Sequence, residues 1–235
     1  MAETTVTILR GDEKAVYTVV SEGATLLEML ETIKTTQDPT LTFTSGCRSG
    51  VCGSCAVRAD GTEVLACACK PEGAVVVEPL RNVPVLRDLA VDMEGALARN
   101  VQVEAWNEPL SETPALTIED ERANALQSDC ILCGACYSAC PVYAYDEGFA
   151  GPFALTRSWR YVSDKRTANV REKLEAVQTE GIWNCTLCNE CVPVCPQGIA
   201  PKQDIVMLRT RSGTEGFADP NLGGFGGLDF GAPSF

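Results

Sequence analysis

Cys130-Ile131-Leu132-Cys133-Gly134-Ala135-Cys136-Tyr137-Ser138-Ala139-Cys140-Pro141 is repeated, offset for offset, by Cys185-Thr186-Leu187-Cys188-Asn189-Glu190-Cys191-Val192-Pro193-Val194-Cys195-Pro196. In each copy two successive C-x2-C steps place three thiols around one small loop. The fourth cysteine, three residues on and followed by proline, points away from that loop. Chance does not produce this spacing twice. Around the two copies the apolar periodicity is helical, with helices predicted at about 118–128, 152–163, 167–179 and 201–211. The second half of the chain therefore reads as all-α, with its cysteines between and within helices.

The 235 residues suffice for one large domain or two small ones, and 45% apolar with 22% charged content is ordinary for a folded chain. The thirteen cysteines beside no histidine are not ordinary. Without an imidazole there is no Ser/His or Cys/His nucleophilic pair, no Cys2His2 zinc finger and no Rieske-type site. A disulfide framework is disfavoured because the count is odd, the chain can bury its own core and no secretory signal opens it. Reduced thiolates that bind metal are the expectation. The net charge of −13 argues against nucleic acid, whose phosphates are held by clustered lysine and arginine. No run of 18 apolar residues occurs, so no direct membrane span is expected.

The first half mixes strand and helix signals. Residues 6–10 and 15–20 are β-branched runs around Gly11 and Asp12, which predicts a hairpin. Thr25 with Glu28 makes a capping box ahead of a helix whose Leu26, Leu27, Leu30 and Ile33 share a face. A glycine- and cysteine-rich loop follows residue 44. Residues 56–59 and 62–66 flank Asp60-Gly61 as a second hairpin, and 75–78, stopped by Pro79, form one more strand. After Pro84 the spacing of Leu86, Leu89, Ala90, Met93 and Leu97 predicts a helix. The pattern lapses over 100–114, which divides the chain into residues 1–100, 101–212 and a tail at 213–235. The tail's seven glycines and four phenylalanines cannot bury a core. It is either disordered or an arm that orders against a partner through Phe217, Phe225, Phe230 and Phe235. Trp159 and Trp183 read as core aromatics, and Lys202 as helix-start surface.

The cysteine spacings name their cofactors. In two-cluster ferredoxins the fourth cysteine of each C-x2-C-x2-C-x3-C-P run ligates the other cluster. On that pattern Cys130, Cys133, Cys136 and Cys195 would hold one [4Fe-4S] centre, and Cys140, Cys185, Cys188 and Cys191 a second. Cys47-x4-Cys52-x2-Cys55, with Cys67 beyond the hairpin, matches the plant-type [2Fe-2S] spacing. Gly46, Gly50 and Gly53 suit a loop whose backbone N–H groups must face sulfur. Cys69 is left over, either a small buried hydrophobe or a substitute for Cys67 as fourth ligand. Zinc is the alternative for any C-x2-C pair, but zinc ribbons do not need three in succession with a crossing fourth cysteine. Three centres in series, with no acid, base or nucleophile clustered around them, read as an electron conduit with no catalytic residue of its own.

These residues resemble the iron-sulfur subunit of the succinate dehydrogenase and fumarate reductase family. Cys47-Arg48-Ser49-Gly50-Val51-Cys52-Gly53-Ser54-Cys55 and Leu65-Ala66-Cys67 look like its [2Fe-2S] signature. Residues 82–89 resemble its stretch between the domains, and residues 151–164 its helix between the cysteine groups. The resemblance implies an α+β chain, a β-grasp plant-type ferredoxin domain followed by an all-α bacterial-type two-cluster domain. It also implies a FAD-bearing catalytic subunit facing the [2Fe-2S] domain, and a place in the cytoplasm, peripheral to the inner face of the cell membrane through partner subunits.

One departure from the family matters. In its usual quinone-reactive members the position of Cys188 is apolar and the distal cluster is [3Fe-4S]; with a cysteine there, the resemblance implies a second [4Fe-4S] centre. A histidine and a tryptophan that those members carry near quinone are replaced by Thr186 and by Val142-Tyr143-Ala144. The variant therefore resembles types whose partner is a cysteine-rich, heterodisulfide-reductase-like subunit, or thiol-dependent fumarate reductases, with a membrane anchor as the alternative distal partner. Competing readings are a subunit of a glycolate- or lactate-oxidising flavin complex and a stand-alone multi-cluster ferredoxin.

Overall fold

Thr4, Val6 and Ile8 point into a core while their neighbours face outward, the period-two pattern of a half-buried strand. In the computed structural model, which describes residues 3–221, this strand is β1 (Glu3–Arg10). It pairs antiparallel with β2 (Glu13–Val20) through the turn at Gly11. Helix α1 (Leu26–Thr36) starts on the expected capping box: the Thr25 amide donates to Glu28 Oε2 at 2.7 Å, and the Glu28 amide to Thr25 Oγ1 at 3.3 Å. Then come β3 (Ala56–Ala59), β4 (Thr62–Leu65) and β5 (Ala74–Glu78), the last parallel to β1. The sheet order is β2-β1-β5-β3-β4. Leu26, Leu27, Met29, Leu30 and Ile33 of α1 are buried in one cluster with Val6, Ile8, Val57, Val75 and Val77 of the sheet. Each such side chain contributes roughly 1.5–3 kcal/mol. This is a β-grasp-like domain.

Residues 85–91 differ from the helix that their spacing predicts. They form a short ribbon, β6 (Val85–Arg87) and β7 (Ala90–Val91), turning at Asp88 with φ +49°. The Asp88 carboxylate accepts from Arg10 Nε at 2.9 Å and from the Thr42 amide at 2.8 Å. Those long-range bonds fix the turn on β1, and α2 (Glu94–Gln102) begins only afterwards.

The second half is helical: α3 (Ile118–Arg122), α4 (Ala125–Ser128), α5 (Ala135–Ser138), α6 (Pro152–Val162), α7 (Val170–Ala176) and α8 (Pro201–Thr214). The helix expected over 118–128 is broken in two at Asn124, whose φ of −141° is not helical. Tyr137, Phe149, Phe153, Leu155, Leu174, Ile182, Ile205 and Leu208 form the second core, joined by Ala96 of α2. Trp159 and Trp183 pack against it partly buried. Phe217 also packs on this core, with the Arg171 guanidinium 4.8 Å from its ring; Phe225, Phe230 and Phe235 lie outside the described residues.

Polar contacts join the halves. Asn82, in a left-handed conformation, donates through its side-chain amide to the carbonyls of Tyr137, Ser138 and Cys140 at 2.9, 3.2 and 3.1 Å. Ser138 Oγ donates to the buried Glu63 at 2.7 Å and accepts from the Arg81 amide at 2.9 Å. Among the described residues no helix is long and apolar enough to cross a membrane.

Candidate functional site

The loop between α1 and β3 gathers Cys47, Cys52 and Cys55, and the turn after β4 brings Cys67 to it. Backbone amides aim at these sulfurs. Gly50 N–H donates to Cys67 Sγ at 3.3 Å, Ser49 N–H to Cys47 Sγ at 3.4 Å and Cys47 N–H to Cys52 Sγ at 3.3 Å. Cys47 and Cys52 are exposed, Cys55 and Cys67 buried. The amide and hydroxyl of Ser49 and the amide of Val51 stabilise the Cys47 thiolate, lowering its pKa to about 6. Burial pushes Cys55 up to about 11. Cys69 stands apart, half-buried against the first core, with burial raising its thiol.

The other eight thiols sort crosswise. Cys130, Cys133, Cys136 and Cys195 line one cavity of about 370 Å³ with Phe153 and Ile199, and Cys140, Cys185, Cys188 and Cys191 line another of about 310 Å³ with Phe149 and Ile205. The fourth cysteine of each sequence group has thus joined the other group's three.

The sequence repeat is also a backbone repeat, which the spacing alone did not reveal. Leu132 and Leu187, at equivalent places, both take positive φ (+53° and +58°), as do Gly134 and Asn189 (+82° and +80°). Leucine rarely adopts that conformation. Here it turns an amide toward sulfur: Leu187 N–H donates to Cys185 Sγ at 3.4 Å, and Leu132 N–H does the same for Cys130.

Burial dominates the electrostatics of these thiols. It raises Cys133 to about 11, Cys191 to about 12 and Cys136 well above its ordinary value, reinforced by neighbouring thiols, for Cys136 including Cys191 of the other set. Thiols raised by burial in this way, such as Cys133, Cys136 and Cys191, resist ionising by themselves; a cationic centre beside them supplies the missing charge and releases their protons. The donor set therefore fits iron-sulfur clusters, which add one-electron redox chemistry when bound. Lys202, expected to be plain surface, lines the second cavity, and its backbone N–H donates to Cys191.

Residues 11–98 match the family described as 2Fe-2S iron-sulfur cluster binding domain, and residues 126–199 that described as 4Fe-4S dicluster domain. The fumarate reductase iron-sulfur subunit of Mycobacterium tuberculosis is 38% identical over 200 residues, 80% of this chain and 81% of that one. The chain belongs to the iron-sulfur subunits of succinate dehydrogenase and fumarate reductase. Another such subunit, of the 8-methylmenaquinol:fumarate reductase of Wolinella succinogenes, is 35% identical over 219 residues, 86% of this chain and 69% of that one. The iron-sulfur subunit 1 of rice mitochondrial succinate dehydrogenase is 34% identical over 198 residues, 80% of this chain and 70% of the rice protein. A chain in the structure of the Mycobacterium smegmatis Sdh1 complex superposes with a TM-score of 0.81 at 26% identity, over 92% of this chain and 98% of that one. The iron-sulfur subunit described here thus carries a [2Fe-2S] domain and a 4Fe-4S dicluster domain of one oxidoreductase family.

Proposed function

We propose that this subunit relays electrons between a FAD-bearing catalytic subunit and a distal acceptor subunit through a [2Fe-2S], a [4Fe-4S] and a second [4Fe-4S] centre. Cys47, Cys52, Cys55 and Cys67 hold the first, Cys130, Cys133, Cys136 and Cys195 the middle one, and Cys140, Cys185, Cys188 and Cys191 the distal one. The crosswise lining of the two cavities, with Cys188 among the four thiols of the second, is the observation that carries this reading. The sites also follow one another. Gly53 of the first loop packs on Cys133, Cys136 feels the charge of Cys191, and the thiols at the two ends, Cys47 and Cys188, are exposed.

The distal partner is a cysteine-rich, heterodisulfide-reductase-like subunit, and the complex lies peripheral to the inner face of the cell membrane. A membrane anchor that handles quinone is the second reading, favoured by the menaquinol in the name of the Wolinella relative. Anaerobic purification of the complex from its native cells tests both. Ten irons per chain with matching labile sulfide, a flavoprotein and a cysteine-rich subunit are expected. Zinc without labile sulfide overturns the relay. Haem-bearing membrane helices move the acceptor to quinone.

A further inference from the structure

Gln197 follows Cys195 by two residues and lines the cavity of the middle thiol group. Its side-chain Nε2 leaves that half of the molecule and donates to the Gly50 carbonyl at 3.1 Å. Gly50 sits half-buried in the first cysteine loop, and its own N–H donates to Cys67 Sγ at 3.3 Å. Among the described residues, no other side chain of the helical half hydrogen-bonds to residues 45–54. The loop's other bonds stay within the first domain: amides on its own sulfurs, the contact of Cys52 Sγ with Ser54 Oγ, the Gly53 and Ser54 carbonyls' acceptance from Ala56 N–H and Thr44, and the Arg48–Glu31 ion pair. The route from Cys195 to Cys67 is therefore short: two peptide bonds, one side chain, a hydrogen bond to Gly50, and a hydrogen bond to sulfur.

We infer that Gln197 is a positioning residue for the electron step between the first and middle centres, an inference that rests on the ligand sets proposed above. It does so in two ways. By holding the Gly50 carbonyl it fixes the peptide plane that also carries the Val51 N–H, a donor to Cys47, and hydrogen bonds to cluster sulfurs raise the potential of a centre by stabilising its reduced state. By spanning the two loops it also holds the separation that Gly53 and Cys133 set by contact, so the two centres cannot drift apart as the exposed loop moves.

The test uses the assembled complex and the near-isosteric Gln197→Met, which keeps the side chain's length and removes the donor. The wild type must first contain all three centres; if it does not, the proposed ligand sets fail, whatever Gln197 does. Given three centres, Gln197→Met is expected to lower the midpoint potential of the [2Fe-2S] signal in an EPR-monitored titration, leaving the distal one unmoved. It is also expected to weaken the magnetic coupling between the first two centres and to slow turnover several-fold. Gln197→Lys, which restores an N–H donor of sufficient reach, is expected to recover the rate and the coupling. An unmoved [2Fe-2S] potential with unchanged coupling in Gln197→Met overturns the inference. So does no recovery in Gln197→Lys. Loss of the [2Fe-2S] signal altogether would make Gln197 a folding residue and overturn it as well.

Discussion

Gly53 lies so close to Cys133 that a Cβ built on it would stand 2.8 Å from the Cys133 Cβ and 3.1 Å from the Ile131 carbonyl. The first cysteine loop thus touches the second through a residue with no side chain, at φ +74°. Gly53→Ala would meet both a backbone penalty and an overlap with main chain that cannot swing aside. Gly50 is the control, since it has a similar φ of +77° with nothing within 4 Å of the added carbon. Gly53→Ala is expected to destabilise by about 3 kcal/mol and Gly50→Ala by about 1 kcal/mol. Anaerobic denaturant titration of the two variants checks the difference; equal costs would mean that the domain contact is looser than this.

Cys188 is exposed at the mouth of its cavity, so replacing it leaves no buried void. Cys188→Val removes one of four thiolates without disturbing the other three, and one iron corner loses its protein ligand. The distal centre is then expected to become [3Fe-4S], adding a low-temperature EPR signal in the oxidised protein and lowering iron by about one atom per chain. An unchanged spectrum would remove Cys188 from the ligand set.

The local sequence carried most of this. Spacings of two and three residues between cysteines are short enough that the grouping of three thiols around one loop follows from them. The capping box at Thr25 and the hairpin at Asp60-Gly61 are likewise local. Most of what stayed hidden was long-range. The ion pair of Arg10 with Asp88 turns residues 85–91 into a ribbon against their own helical periodicity, and nothing near Asp88 announces it. The left-handed leucines at 132 and 187 obey the demand of sulfur for amide donors, not their own preference. Gln197 and Asn82 act on partners far along the chain, where residue type alone cannot point.

Asn82 illustrates how much such a residue carries. Its amide serves three carbonyls of the turn that ends in Cys140, two of them on consecutive residues. Asn82→Ala leaves partly buried acceptors unmatched and asks alanine to take φ +62°, an expected cost of about 2–3 kcal/mol. Asn82→Asp is expected to cost more than Asn82→Ala, because a carboxylate would face three carbonyl oxygens with no donor. Chemical denaturation of both variants checks that order; a milder Asn82→Asp would show that the amide's donor role is minor.

Asp204 of α8 gives the protein a pH dependence of definite sign. The side chain is 3% exposed, accepts from Gln127 at 2.7 Å and from Thr156 at 2.8 Å, and is raised to about 6, chiefly by burial. In the unfolded chain it ionises near the ordinary value of about 4. The folded state therefore holds its proton to higher pH than the unfolded state does. That contribution to stability is complete below about pH 4, fades between about pH 4 and 6 and is absent above, a loss on the order of 3 kcal/mol. Asp204→Asn cannot ionise, and its amide can accept from Gln127 while donating to Thr156, whose hydroxyl can turn. The wild type is expected to lose apparent Tm between about pH 4 and 6, and Asp204→Asn to lose less over the same range while matching or exceeding it at pH 7. Parallel thermal scans of the two proteins under anaerobic conditions decide it: identical slopes would mean that Asp204 is ionised throughout, held by its two donors against the cost of its burial.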